Sequence, residues 1–173
     1  MKRLALLLCV VATAAVAAYA DQAVSRKPIS VYLDGELVHY YSQLLDPSTP
    51  ITAGMVVDGK PMISQRFLSD RLHVPSETYL LRRWGVFKLG QYAFKLGSNL
   101  VIREVAMFGG GAWVERAMPL PPLILRDGDY ERLYVPAIPV LGMLGHATEW
   151  KPTEKALYLR AGQATPQERN FLY

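Results

Sequence analysis

The chain is poor in the residues from which most active sites are built. It has one cysteine, Cys9, inside an apolar N-terminal run, and three histidines, His39, His73 and His146. With Cys9 read as part of a leader, the remaining chain can form no disulfide, so it must hold together by burial alone. The histidines show neither His-x-His nor His-x-x-x-His spacing, and no cysteines stand by to complete a zinc site. No metal and no cofactor is expected. Gly-x-Ser-x-Gly does not occur, which removes the signature of a nucleophile elbow. Gly109-Gly110-Gly111 is not followed by Gly-Lys-Ser/Thr, so it is not a phosphate loop. Basic runs are also missing. Without Lys2 and Arg3 the 19 basic residues become 17 against 15 acidic ones, a net charge of +2, which gives nucleic-acid binding little support. After Ala20 no apolar stretch approaches the length of a membrane span.

What is present begins with a targeting layout. Lys2 and Arg3 form a positive start, Leu4–Ala18 is apolar, and Ala18-Tyr19-Ala20 is a small-x-small site before the polar Asp21-Gln22. This predicts an exported protein cleaved after Ala20, placed in the periplasm, at the cell surface or outside the cell. Residues 21–28 read as a linker and 163–173 as a polar tail.

Between these ends the pattern is that of short strands with little helix. Ile29–Leu33 and Glu36–Tyr40 alternate around Asp34-Gly35, a strong local signal for a β-hairpin. Met55–Val57 is a strand, and Asp58-Gly59 a second turn. Over Pro61–Val74 the period changes, with Ile63, Phe67, Leu68, Arg71 and Leu72 on one helical face, Ser64 as a cap and Pro75 as a stop. Thr78–Leu81, Val86–Leu89 and Gln91–Leu96 read as strands. Asn99–Phe108 and Ala112–Ala117 flank the glycine run as a hairpin. Leu123–Leu125 and Arg132–Val135 are further strands around the turn at Asp127-Gly128. Pro136 starts a compact apolar helix that Gly145 closes, and a hairpin carrying Trp150 follows.

Self-comparison shows that the chain repeats. Residues 63–68 align with 135–140 at an offset of 72, which also places Leu72 on Leu144 and Gly90 on Gly162. The turns at Asp58-Gly59 and Asp127-Gly128 align at an offset of 69, leaving a three-residue insertion in the second copy. The expected architecture is α+β, with two tandem copies of a small unit, each an antiparallel β-sheet packed around one short α-helix. The copies are assigned to residues 29–90 and 91–162.

The run Asp127-Gly128, Tyr134-Val135-Pro136, Leu144-Gly145, Trp150 and Ala156–Leu159 resembles the copper amine oxidase N-terminal domain, a small stalk-like unit repeated in exported bacterial proteins. The resemblance covers about Met107–Gly162 and is weaker over Ile29–Gly90, where Ile63-Ser64 stands for Val-Pro and Leu72-His73 for Leu-Gly. It implies an antiparallel sheet wrapped round one helix. It implies neither copper nor oxidase chemistry, which in the amine oxidases belongs to a separate, larger domain.

The remaining candidates have simpler structural explanations. His73 and His146 sit at helix ends, where free carbonyls and the dipole favour them. Asp127 and Asp129 flank a turn glycine, and Glu104 and Glu115 lie either side of the glycine run. The aromatics on strands and turns (Tyr40, Tyr41, Tyr92, Trp113, Tyr130 and Tyr134) could stack on sugar rings where exposed. Tyr40, Tyr41 and Trp113 are the candidate binding surface. Asp127, Gly128, Val135, Pro136, Leu144, Gly145 and Trp150 form a structural motif. The reading is a non-catalytic stalk, adaptor or interaction module of the cell envelope, its partner a protein or a cell-wall polymer. The alternatives are a carbohydrate-binding module and a small exported hydrolase. Self-association with exchanged strands stays open.

Overall fold

Two Asp-Gly pairs reverse the chain at Asp34-Gly35 and Asp58-Gly59, with φ of 51° and 92° at the first and 49° and 75° at the second. Positive φ at both central residues matches the right-handed twist of the flanking strands, which is why Asp-Gly favours tight hairpins. A computed structural model of the chain describes residues 27–38, 53–78, 81–107, 110–127 and 130–163; at 82–83, 104–107, 110–116, 125–127 and 130 it describes the backbone alone. The leader and most of the expected linker lie outside the described residues. Lys27 and Pro28, read as the end of that linker, already belong to the first strand.

The fold is mixed α+β and mostly strand. The strands are β1 (Lys27–Leu33), β2 (Glu36–Leu37), β3 (Gly54–Val57), β4 (Lys60–Ser64), β5 (Ser76–Glu77), β6 (Val86–Leu89), β7 (Tyr92–Lys95), β8 (Leu100–Met107), β9 (Gly110–Ala117), β10 (Leu123–Asp127), β11 (Tyr130–Pro136), β12 (Ala147–Lys151) and β13 (Ala156–Arg160). The helices are α1 (Gln65–Leu72), the single turn α2 (Leu81–Trp84) and α3 (Ala137–Met143). A larger sheet runs β10-β11-β4-β3-β1-β13-β12, with β2 paired to β1, and a smaller one runs β5-β6-β7-β8-β9. Each half of the chain supplies strands to the larger sheet. The pairing of β1 with β13 is parallel, matching Tyr32 with Tyr158, whereas the other pairings are antiparallel.

Within the larger sheet, one strand in from the β10 edge, β4 and β11 pair as Tyr134 with Ser64, Val135 with Ile63 and Pro136 with Met62. Each strand ends a hairpin and leads directly into a helix, α1 after Ser64 and α3 after Pro136. Strand alternation then fills both faces. Ile63, Leu133 and Val135 join the main core with Phe67 and Leu68 of α1, Val140 and Leu141 of α3, and Phe87, Leu89 and Phe94 of the smaller sheet. Met55, Val57, Met62 and Tyr134 form a second cluster on the opposite face, against Leu120 and Leu123. Close approach fixes one position here. A Cβ on Gly54 would lie 2.7 Å from the Met62 carbonyl oxygen and 2.9 Å from Ile29 Cδ1, so only glycine lets β3 pass between its neighbours.

Three expectations are corrected. Pro61–Ile63, read as part of the helical stretch, is strand, because its backbone pairs with β3 and β11; Ser64 ends that strand and stands at the N-cap position read for it, with the helix beginning at Gln65. Thr78–Leu81 is not a strand among the described residues: the pairing segment is Ser76–Glu77, and Leu81 opens α2. Pro136 precedes α3 as its N-cap and still pairs in β11; Pro139 is the proline inside the first turn. Alone, α3 is too short to be stable. It exists because Ala137, Pro139, Val140, Leu141, Gly142 and Met143 are buried, and each fully buried large apolar side chain contributes about 1.5–3 kcal/mol.

Candidate functional site

The proposed structural motif is a packing device. Val135 is fully buried at the β4 seam, and Leu144 and Trp150 are half-buried against the main core. The α3 terminus is a Schellman cap. The Gly145 amide donates to Gly142 O (3.0 Å), the His146 amide donates to Leu141 O (2.9 Å), and Gly145 takes φ +91°. Asp127 closes β10 opposite Tyr130. Gly128 and Asp129 lie outside the described residues, as do Tyr40, Tyr41 and His39. For Trp113 the backbone places the residue opposite Glu104 in β9, while Glu115 stands opposite Ile102. The two glutamates thus occupy diagonal rather than directly opposed positions. The candidate aromatics Tyr92 and Tyr134 are buried, with the Tyr92 hydroxyl donating to Met143 O at 3.1 Å.

The surface aromatic pair lies elsewhere, on the ribbon β2-β1-β13-β12. Register puts Leu37, Tyr32, Tyr158 and Glu149 in one row across the four strands, and directly paired residues share a face. Leu37 is 42% exposed, and both tyrosines are half-buried. Their rings stack at 4.7 Å between centroids with an interplanar angle of 11°. On the β12 side Lys151 Nζ lies 4.6 Å from the Tyr158 centroid, a cation–π contact. The same ammonium is 3.9 Å from Glu149 and 3.8 Å from Glu154. The Tyr158 hydroxyl donates to the other Glu154 carboxylate oxygen at 2.9 Å. That hydrogen bond, followed by partial desolvation and the surrounding negative charge, holds the phenol above its ordinary value. Tyr158 is therefore a neutral donor at neutral pH and no base.

At the far end of the ribbon, the Ala161 amide donates to Asp34 Oδ1 at 3.1 Å and the Gly162 amide to His146 Nδ1 at 3.2 Å. Burial lowers the His146 pKa below its ordinary value, and Asp34 opposes the shift. In the sequence His146 reads as a helix-end residue and Asp34 as a turn residue, and no role is assigned to Tyr32, Lys151, Glu154 or Tyr158. Alternation places Tyr32 and Tyr158 on outward positions of their strands. Nothing local shows that the first and last strands are neighbours.

Among the described residues no three or more His, Cys, Asp or Glu side chains are grouped so as to hold a metal ion, and no helix is long and apolar enough to cross a membrane. Comparison with known proteins finds no matching family model, no matching curated protein and no matching solved structure.

Proposed function

We propose that the chain is a non-catalytic, exported module of the cell envelope, a stalk, adaptor or protein-interaction unit made of two diverged copies fused through one sheet. The observation carrying the duplication is the β4–β11 register. Ile63 and Val135, 72 residues apart, pair with each other, and the flanking pairs Met62 with Pro136 and Ser64 with Tyr134 exchange under the same offset. That is the pattern of an isologous two-fold contact. The copper amine oxidase N-terminal resemblance belongs to the same proposal. Its unit would be the hairpin plus helix, β3-β4-α1 and β10-β11-α3, with the outer strands rearranged around it.

A framework role is supported by how the polar side chains are used. Asp34 and His146 hold backbone amides, Tyr92 holds a carbonyl, and Glu154 holds a phenol and an ammonium. Function is argued from such sites and not from the fold. A sugar-stacking surface needs a free ring face. Tyr158 has Tyr32 on the β1 side and Lys151 on the β12 side, which counts against this pair as a carbohydrate platform.

The test uses the purified chain from Asp21 onward. Retention on washed cell-wall polymer is measured beside turnover on a hydrolase substrate panel. The interaction reading expects neither, together with capture of an envelope protein in cells by a photo-crosslinker at exposed Leu37. Retention lost in Trp113→Ala would replace it with the carbohydrate-binding reading. Turnover abolished by one carboxylate or histidine substitution would replace it with the hydrolase.

A further inference from the structure

The chain leaves β13 through two adjacent amides, and each is held by a side chain from a different element. Ala161 N–H donates to Asp34 Oδ1 and Gly162 N–H to His146 Nδ1. Both side chains are themselves anchored. The Asp34 amide donates to Leu159 O at 2.8 Å, so the β1–β2 turn is tied to the end of β13. His146 is the residue after Gly145 in the Schellman cap of α3, its amide fixed on Leu141 O. Three elements therefore meet at residues 161–162.

An imidazole nitrogen accepts a hydrogen bond only while it carries no proton. The Gly162 contact therefore requires neutral His146 with its hydrogen on Nε2. A proton on Nδ1 sets two donors against each other. It also creates a cation beside Asp34, whose carboxylate already serves Ala161, so the imidazolium competes for the group that holds the neighbouring amide. We propose that Asp34, His146 and the 161–162 amides form a proton-sensitive clamp, closed at neutral pH, that frees the end of β13 when the medium turns acidic.

Among the described residues, Asp34 is the charge that acts on the ring. Asp34 comes from the β1–β2 turn, Arg160 lies on β13 opposite Ala147, Glu149 lies on β12, and α3 carries no titratable residue. Burial, the larger influence, favours the neutral ring over the attraction of Asp34. With the folded-state pKa below the ordinary 6.5, the unfolded chain binds the proton more readily. The stability tied to this ring is fully present above the unfolded-state value and is lost as pH falls through the folded-state value.

Amide exchange read by NMR, expressed as protection factors, tests the clamp from about pH 7.5 to about pH 5, the range in which histidine switches. Protection at Ala161 and Gly162 is expected to fall several-fold while Leu157 in mid-β13 keeps its own. The fall should share its midpoint with the titration of the His146 ring signals. His146→Asn keeps a neutral acceptor near the Nδ1 position and is expected to remove the pH dependence. Asp34→Asn removes the attraction that raises the ring pKa and should move the midpoint to lower pH. Constant protection in the wild-type protein overturns the clamp, as does a midpoint unlike that of His146. Persistence of the pH dependence in folded His146→Asn, or an upward shift in Asp34→Asn, also overturns it. Should either variant fail to fold, the wild-type comparison of midpoints decides alone.

Discussion

Ile63 and Val135 stand opposite each other in the β4–β11 ladder, both with no exposed surface, and each is the middle residue of the three-pair register that joins the two halves of the chain. Their side chains fall on the main-core face, between the helices that each strand leads into. Ile63→Ala should destabilise the fold by about 2–5 kcal/mol, and Val135→Ala should act in the same direction. Because the sites touch, the double mutant should depart from additivity by about 0.5–3 kcal/mol. Urea unfolding followed by fluorescence and by circular dichroism should give coincident single transitions for each protein. Two separated transitions would mean that the halves fold independently of this seam.

A second outcome concerns the two helix ends. His73 and Gly145 are also 72 residues apart, and both take left-handed conformations, with φ of 53° and 91°. Such a backbone costs a residue with a Cβ about 1–2 kcal/mol. His73 is exposed, so His73→Gly should stabilise the fold by about 1 kcal/mol. Gly145→Ala has open space around the added methyl and should still destabilise by about the same amount, through the backbone alone. The shift in thermal midpoint reads both signs.

The same two residues show how far the sequence could be read. The Asp-Gly turns, the strand alternation and the glycine closing α3 are local, and each was legible because a few adjacent residues determine it. The strand over Pro61–Ile63 was not. Ile63, Phe67 and Leu68 suit a helical face, but the backbone of Pro61–Ser64 is taken up by ladders with β3 and β11, and long-range pairing overrides a short periodicity. The Tyr32–Tyr158 stack was equally out of reach. It depends on parallel pairing between the first described strand and the last, and neither contains a signal naming its neighbour. Asp34 read correctly as a turn residue, but its bond to Ala161 depends on that same pairing.

Ser64 separates two rules that disagree in sign. It occupies the N-cap position of α1, where replacing serine by alanine ordinarily costs about 0.5–2 kcal/mol. Here the hydroxyl makes no capping bond, and its oxygen is buried without a hydrogen-bond partner. The backbone is held independently, by the Ser64 amide donating to Ala53 O at 2.9 Å. Removing a buried, unpaired hydroxyl should be neutral or stabilising by about 1 kcal/mol. Chemical denaturation of Ser64→Ala decides between the rules: a loss of stability would mean that the hydroxyl caps the helix after all.

Tyr92 ties the smaller sheet to the larger one by a polar contact as well as by packing. Its ring is buried in the main core, with the Arg103 guanidinium 5.7 Å from the centroid, and its hydroxyl reaches the carbonyl of Met143 at the end of α3. The Schellman cap uses the carbonyls of Leu141 and Gly142, and the Met143 carbonyl is the next one in the chain. Tyr92→Phe keeps the ring and leaves that acceptor unserved in a buried setting, so it should cost about 1–3 kcal/mol. The m-value should stay unchanged, because no apolar surface is gained or lost. A near-zero effect would mean that the carbonyl finds another donor and that packing alone couples the sheets. The expected loss, with a cooperative transition preserved, would make this hydroxyl part of what holds α3 against the smaller sheet.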